Sequence, residues 1–228
     1  MSFLFIAGTG TDIGKTYVTA LLVRTLHEKG HAVRALKPVI SGFDSETAEN
    51  SDTALLLKAV GDTLDDETIA ATSPWRFKAP LAPNMAARRE DRSIDFDAVV
   101  SWCKVRGGPV VIEGVGGVMS PVSDDKTGLD WIVGLACPVL LVGGTYLGAI
   151  SHTLTSVAAL RARGVRVAGI VVNESQDDSI GLEATIDVLK PFVPGIPILA
   201  LSRSRAPEQV RLDQVADLHA VALQCLAD

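Results

Sequence analysis

Short runs of apolar residues recur along the chain and are separated by segments in which apolar residues return with helical spacing. The runs are continuous and do not alternate with polar residues, which is typical of strands that are buried on both faces of a sheet. We therefore predict six strands, at residues 3–7, 32–36, 109–114, 137–143, 165–174 and 196–201.

The segments between these runs have the pattern of amphipathic helices. Val18, Leu21, Leu22 and Leu26 fall on one helical face, and Gly30 is a typical stop signal. Residues 72–93 are rich in proline and arginine and are predicted to form a loop. The same reasoning predicts helices at residues 14–29, 51–60, 96–104, 148–163, 182–189 and 209–226.

The alternation of strands and helices predicts an α/β fold. In this fold, a three-layer αβα sandwich, a mostly parallel central sheet lies between two layers of helices. Because no change in composition and no internal repeat marks a boundary, we expect a single domain over residues 1–228. Ligands of such sheets bind beyond the carboxyl ends of the strands, so residues that follow strands are the candidates for function.

The stretch between the first strand and the first helix, Gly8 to Thr16, reads GTGTDIGKT. It matches the phosphate-binding pattern G-x-x-x-x-G-K-[ST], except that Thr9 stands where a glycine is usual. Amides at a helix N-terminus bind phosphate, Lys15 can reach the β- and γ-phosphates, and the Thr16 hydroxyl can bind Mg²⁺. The stretch therefore predicts a nucleotide site of the P-loop NTPase type in a slightly lengthened loop. The alternative is a glycine-rich turn that only caps the helix.

Charged residues stand at other strand ends. Glu113 ends the third predicted strand, where it either faces solvent or binds Mg²⁺. Asp52 is either a helix cap or a further member of an oxygen set with Thr16 and Glu113. Lys37 follows the second strand and either lies along the surface or joins Lys15 where negative charge builds up during phosphoryl transfer.

The fourth predicted helix begins near Leu147, Gly148 and Ala149, whose amides form a natural site for a carboxylate. Ser151 and His152 follow in the first turn. His152 has no obvious acidic or nucleophilic partner in the sequence, so we interpret it as a structural residue.

Composition limits the classes of partner. The 228 residues carry a formal net charge of −6, which argues against broad, charge-driven binding to nucleic acid or anionic membranes. Cys103, Cys137 and Cys225 have neither metal nor redox spacing and favour a reducing compartment. No apolar run reaches the ~20 residues that span a bilayer, and no basic leader opens the chain, so we expect a cytoplasmic protein.

Seven short motifs follow one another in the order that they have in one enzyme family. They are residues 8–16 (family form GTDT-x-V-G-K-T), 37–42 (KPVxSG), 50–52 (NSD), 80–87 (P-x-x-P-H), 113–117 (EGxGG), 147–152 (LGxINH) and 171–173 (VxN). Together these segments resemble the dethiobiotin synthetase family over residues 8–174. The joint pattern is far more specific than any single motif.

The resemblance implies an ATP-dependent ligase of biotin biosynthesis that is a homodimer with active sites at the subunit interface. It implies ATP, Mg²⁺, CO₂ or bicarbonate, and 7,8-diaminopelargonate as the participants. One amine takes up CO₂ to give a carbamate, and the carbamate oxygen attacks the γ-phosphate to give a carbamic-phosphoric anhydride. The second amine then closes the ureido ring and releases phosphate.

The resemblance also implies roles for individual residues. Lys37, Lys15 and Thr11 would be catalytic, and Thr16, Asp52 and Glu113 would bind Mg²⁺. Substrate would be bound by Ser41. Its far carboxylate would be bound by Leu147, Gly148, Ala149 and Ser151, which the partner subunit would supply. The nucleotide would contact Asp12, Ile13, Gly14, Lys15, Thr16, Tyr17, Asp52, Glu113, Gly114, Val115, Gly116, Asn173, Glu174, Arg203, Ser204 and Arg205.

The chain departs from the family pattern at a few positions. Gly10 replaces the usual Asp, Ser151 replaces Asn, and Asn84 replaces His. Residues 201–208 match the family's adenine loop poorly, and Arg203 and Arg205 are expected to contact the nucleotide there.

One interpretation from another class stays open. It is a nucleotide-switched, partner-binding ATPase of the kind that positions plasmids or septa. Such proteins share this fold type but carry an additional lysine early in the loop, as in KGGxGKT. That lysine is absent here, since the loop begins with Gly8, Thr9 and Gly10.

Overall fold

A parallel β-sheet runs through the centre of the molecule. The computed structural model describes residues 2–105, 107–203, 207, 210 and 215–227. The described strands are β1 (Phe3–Gly8), β2 (Arg34–Leu36), β3 (Val39–Ser41), β4 (Trp75–Phe77), β5 (Val110–Glu113), β6 (Val139–Gly143), β7 (Val167–Asn173) and β8 (Ile198–Leu201). Six of them form the main sheet, in the order β2-β5-β1-β6-β7-β8, and β3 and β4 form a small separate sheet.

Helices connect the strands and cover the sheet. Within the described residues they are α1 (Lys15–Glu28), α2 (Asp52–Val60), α3 (Asp66–Thr72), α4 (Pro83–Arg88), α5 (Phe96–Lys104), α6 (Gly128–Leu135), α7 (Ala149–Ala162), α8 (Leu182–Leu189) and α9 (Ala216–Leu226). Two short 3₁₀ segments, Ser45–Asn50 and Lys190–Phe192, complete the set. No helix in this described part of the chain has both the length and the apolar character needed to cross a membrane.

All neighbouring strands of the main sheet run parallel. Ile6 of β1 lies beside Glu113 of β5, and Gly8 lies beside Val142 of β6. Since the carboxyl ends of parallel strands meet at one edge, the loop that follows β1 and the side chain of Glu113 come together there.

Two apolar clusters cover the two faces of the sheet. Successive side chains of a strand point to opposite faces. Leu4 and Ile6 therefore belong to the cluster that includes residues of α1 and α9, whereas Phe5 belongs to the cluster that includes residues of α5 to α8. Trp131 of α6 meets the Phe5 ring edge to face, with the ring centroids 5.3 Å apart. The sheet is thus buried on both sides, and it holds the ends of its strands in fixed positions.

The predicted fold class, a mostly parallel sheet between two helical layers, is confirmed. Helices α5 and α8 have the predicted bounds. Helix α9 begins at Ala216, whereas residues 209 and 211–214 of the predicted last helix lie outside the described residues.

The prediction of a loop over residues 72–93 is wrong, because β4 and α4 lie within it. Pro83 occupies the first turn of α4, where a missing N–H removes no helical hydrogen bond. The arginines are packed as well, since the Arg92 guanidinium lies 4.6 Å from the Phe77 ring centroid. Helices α3 and α6 were also not predicted, although Asp65 and Thr127 begin them with capping boxes.

Candidate active site

The loop between β1 and α1 has a shape that few residues allow. Gly14 precedes α1 with a φ of 91°, and a Cβ atom there would lie only 2.2 Å from Nδ2 of Asn173. Asn173, at the end of β7, donates from that nitrogen to the carbonyl oxygen of Ile13 at 2.9 Å. Asp12 also has a positive φ, 56°. The loop therefore depends on glycine at position 14, which tolerates left-handed backbone, and on a tether from a distant strand.

Lys15 closes the loop from within. Its side chain is buried at the start of α1, and its Nζ donates to the carbonyl oxygen of Gly10 at 2.8 Å. Burial lowers the pKa of Lys15 to about 8, and the nearby Lys37 acts in the same direction. An ammonium group that spans the loop in this way is placed where phosphate oxygens can replace the carbonyl as its acceptor.

A cluster of opposite charges lies at the carboxyl ends of β2 and β5. Glu113 is fully buried, with 0% of its surface exposed. Its Oε1 accepts from Nζ of Lys37 at 2.5 Å and from Oγ1 of Thr16 at 2.7 Å. Nζ of Lys37 also lies 2.9 Å from Oδ2 of Asp52. Residues singled out from four separate motifs thus meet in one cluster.

The charges in this cluster favour one another. Burial lowers the pKa of Lys37, but the carboxylates of Glu113 and Asp52 outweigh burial and raise that pKa above its ordinary value. Burial raises the pKa of Asp52, and the Lys37 ammonium more than offsets this, so the Asp52 pKa lies below its usual range. Lys37 and Asp52 are therefore both charged at neutral pH.

The oxygens of Thr16, Asp52 and Glu113 suit a Mg²⁺ ion, which prefers hard oxygen ligands and keeps several waters. Oε2 of Glu113 is buried without a hydrogen-bond partner among the described residues, so it has a free acceptor site. Among all the residues that the structure describes, no group of three or more His, Cys, Asp or Glu side chains could hold a metal ion. A metal here would therefore rely on the hydroxyl, on water and on phosphate oxygens as well.

Two cavities flank the loop, with volumes of about 990 Å³ and about 470 Å³. Thr11, Asp12 and Gly14 line both of them. The loop is thus a shared wall between two chambers, which are named below the larger and the smaller cavity.

Most of the predicted site residues line one cavity or the other. Gly114 lines neither of them. A Cβ atom at this position would lie 2.7 Å from the Phe5 ring, so the small size of Gly114 serves packing. Ser204 and Arg205 lie outside the described residues. The larger cavity is lined by Ile13, Tyr17, Asn173, Glu174 and Arg203. The smaller cavity is lined by Lys15, Thr16, Lys37, Ser41, Asp52, Glu113, Val115 and Gly116.

The start of α7 carries four of the predicted substrate contacts. Leu147 is 83% exposed, and Gly148 precedes the helix with a φ of 97°. Ala149 is buried and Ser151 is exposed. None of these four predicted substrate contacts lines the larger or the smaller cavity of the same chain.

Two ring side chains of the larger cavity were missed in the sequence. The hydroxyl of Tyr146 and Nδ1 of His152 form a hydrogen bond of 2.8 Å, and both residues line the cavity. The interpretation of His152 as a structural residue did not foresee this position. Their place after β6 is the signal that could have found them.

Comparison with known proteins connects this geometry to a family. The model of the AAA domain family matches residues 3–219. An ATP-dependent dethiobiotin synthetase BioD from Caulobacter sp. (strain K31) is 46% identical over 211 residues, which are 90% of each chain. The protein of the same name from Methylobacterium nodulans is 47% identical over 89% of this chain and 94% of its own. That from Acidiphilium cryptum is 40% identical over 96% of both chains.

Solved structures share the fold at much lower identity. A MinC:MinD cell division protein complex from Aquifex aeolicus matches with a TM-score of 0.54 and 13% identity, over 100% of this chain and 94% of the other. The septum site-determining protein MinD from Pyrococcus horikoshii, solved with Mg-ADP, matches with a TM-score of 0.54 and 16% identity, over 98% and 95% of the two chains. These likenesses show a P-loop NTPase fold.

Proposed function

The chain belongs to the ATP-dependent dethiobiotin synthetase family, and we propose on this basis how its site carries out the reaction. Membership makes the protein a ligase that forms dethiobiotin for biotin biosynthesis, with ATP as co-substrate. We infer that 7,8-diaminopelargonate and CO₂ are the other reactants, and that residues 1–228 act as a single ligase domain.

We assign the base and ribose of ATP to the larger cavity and the γ-phosphate to the shared wall. The amides that follow Asp12 open α1, and the helix N-terminus favours the negative charge of a phosphate. Lys15 would exchange its bond to the Gly10 carbonyl for β- and γ-phosphate oxygens. Thr11 lines both cavities, so its hydroxyl is suited to contact the group in transfer.

The diamine belongs in the smaller cavity in this proposal. One of its amines adds to CO₂ and loses a proton, which forms a carbamate. A carbamate oxygen attacks the γ-phosphorus and ADP leaves, which gives the mixed anhydride. The second amine then attacks the carbonyl carbon and loses a proton, the bond from carbon to the phosphate oxygen breaks, and phosphate departs as the ureido ring closes.

Lys37 is the residue of this chain that suits the carbamate best. Its ammonium lies in the smaller cavity, and the carboxylates around it keep it protonated. A fixed positive charge where anionic oxygens gather lowers the barrier to their attack on phosphorus. Ser41 lines the same cavity, and its hydroxyl oxygen is buried without a hydrogen-bond partner among the described residues, so it is free to bind the substrate.

Thr16, Asp52 and Glu113 would hold the Mg²⁺ ion. When bound, the metal neutralises charge on the β- and γ-phosphates and strengthens the electrophilic character of phosphorus. The chain's own contribution is the position of these oxygens at the end of β5 and at the starts of α1 and α2, next to the wall that the two cavities share.

We also propose a homodimer in which the start of α7 completes the partner's substrate site. The amides at Gly148 and Ala149 suit the far carboxylate of the diamine. Two features support this assignment: Leu147 is 83% exposed, and residues 147–149 and 151 line neither cavity of their own chain.

The observation that carries the proposal is the shared wall between a nucleotide-sized cavity and a lysine-containing cavity. The test is release of phosphate from ATP in reactions that omit one component at a time. We expect release only with diamine and bicarbonate together, and a ureido product by mass spectrometry. Release that ignores the diamine would contradict the proposal. Such release, together with a change of oligomeric state on ATP alone, would favour the partner-binding ATPase.

A further inference from the structure

The ammonium group of Lys37 contacts two of the carboxylate oxygens that are assigned above to the metal site. Nζ of Lys37 lies 2.5 Å from Oε1 of Glu113 and 2.9 Å from Oδ2 of Asp52. Oγ1 of Thr16 donates to the same Glu113 oxygen at 2.7 Å. These three oxygen-bearing side chains are the ones assigned above to Mg²⁺.

We propose that Lys37 is the internal counter-ion of the metal site and competes with the metal for its carboxylates. Lys37 occupies Oε1 of Glu113 and Oδ2 of Asp52, so a metal ion that binds through these two oxygens displaces its ammonium group. It is therefore free to hold the carbamate only once the metal and the nucleotide are in place. This inference deepens the proposed function and rests on its assignment of Thr16, Asp52 and Glu113 to Mg²⁺.

Burial explains why the carboxylates need such a partner. Glu113 is 0% exposed and Lys37 is 4% exposed, and a carboxylate withdrawn from water requires a nearby positive charge. Lys15 acts on Glu113 and Asp52 through space, but its Nζ donates to the Gly10 carbonyl. Lys37 is thus the cation in direct contact with Glu113.

The charge balance favours an order of binding. The cluster contains two ammonium groups, Lys15 and Lys37, and two carboxylates, Asp52 and Glu113. A divalent cation that entered alone would leave an excess of positive charge in a buried site, which is costly. A nucleotide triphosphate brings the negative charge that removes this excess. The metal is therefore expected to bind weakly without nucleotide.

The backbone of Lys37 is anchored, so the exchange concerns its side chain. Lys37 follows β2 directly, its amide donates to the Thr72 carbonyl at 3.2 Å, and Pro38 comes next. The long side chain of lysine can reach a new acceptor by rotation about its own bonds. The two carboxylates line the smaller cavity together with Lys37, and the proposed function assigns the carbamate to the same cavity.

The test is binding of Mn²⁺, as a probe for Mg²⁺, to the full-length protein without nucleotide or diamine. Free Mn²⁺ is followed by electron paramagnetic resonance in the wild type, in Lys37→Met and in the charge-retaining control Lys37→Arg. We expect Lys37→Met to bind Mn²⁺ at least tenfold more tightly than the wild type, and Lys37→Arg not to. The gain should disappear in Lys37→Met/Asp52→Asn. Equal affinity of wild type and Lys37→Met, or a gain that survives Asp52→Asn, would overturn the proposal.

A second measurement uses the wild type alone and does not depend on the folding of a variant. The rate of Lys37 acetylation by acetic anhydride is measured by peptide mass spectrometry, with and without saturating Mn²⁺. We expect Mn²⁺ to raise the rate at Lys37 at least fivefold, because the amine leaves its carboxylates. An unchanged rate would overturn the proposal. Neither experiment contains diamine or bicarbonate. A negative result in either one is therefore distinguishable from a failure of the synthetase assay.

Discussion

The side-chain nitrogen of Asn173 donates to the carbonyl oxygen of Ile13 at 2.9 Å, so the last residue of β7 holds the phosphate loop. Asn173→Ala removes this bond, and a typical net loss of ~1 kcal/mol corresponds to an affinity about fivefold weaker. Calorimetry with ATP and with tripolyphosphate checks this. Both ligands should weaken equally, because the loop itself is loosened. Unchanged binding of tripolyphosphate would show that Asn173 acts on the base alone.

Gly14→Ala should abolish tight nucleotide binding. The new Cβ atom would lie 2.2 Å from Nδ2 of Asn173, and the φ of 91° is a conformation that alanine adopts only under strain. Such backbone strain costs on the order of 1–3 kcal/mol before the clash is counted. Gly10→Ala is the matched control, because its Cβ atom would be no closer than 3.9 Å to the neighbouring atoms. Equal ATP affinities of the two variants would contradict the role given to Gly14.

Gly10→Asp introduces the residue that the family usually carries. The open space at this position leads us to expect a free energy of unfolding within ~0.5 kcal/mol of the wild type, as at an ordinary surface site. Denaturant titration measures this directly. A loss of several kcal/mol would show that the loop has closed around glycine.

Tyr17→Phe removes a hydroxyl that is buried in the wall of the larger cavity without a partner among the described residues. If the nucleotide supplies that partner, ATP affinity should fall by about fivefold, the equivalent of one hydrogen bond of ~1 kcal/mol. The melting temperature of the free protein should stay the same or rise, since the free protein loses an unsatisfied polar group. Full ATP affinity in the variant would exclude Tyr17 from recognition through its hydroxyl.

His219 of α9 should make the fold sensitive to acid. Burial lowers its pKa below the ordinary 6.5, and Lys29 and His31 act in the same direction. The unfolded chain therefore takes up this proton at a higher pH than the folded chain does. The contribution of His219 to the free energy of unfolding is therefore complete above pH 6.5 and declines as the pH falls below that value. Melting temperatures between pH 7.5 and ~5 should fall less steeply in His219→Gln; identical slopes would contradict this assignment.

The parts of the fold that follow from local pattern were predictable. The apolar runs marked the central strands because a strand buried on both faces has no polar side. The small β3–β4 sheet was not predictable in this way. Its strands are short, and the arginines of residues 72–93 give that segment the composition of a loop. In the structure, Arg76 packs on the Phe43 ring and Arg92 on the Phe77 ring.

The site shows the same division. Lys15 and Thr16 follow from the loop pattern, and the meeting of Glu113 with Lys37 follows from adjacent strand ends. The Tyr146–His152 pair depends on how the loop after β6 leads into the first turn of α7, which no periodicity in the sequence encodes. Likewise, only coordinates could show that Gly114 accommodates the Phe5 ring.

The wall shared by the two cavities has a consequence for inhibition. Thr11, Asp12 and Gly14 line both chambers, so one molecule can reach into both around them. Two weak fragments, one for each chamber, would gain from being joined, because the second binds at a high effective concentration once the first is in place. The loop that keeps the two chambers apart would then set the length of the linker.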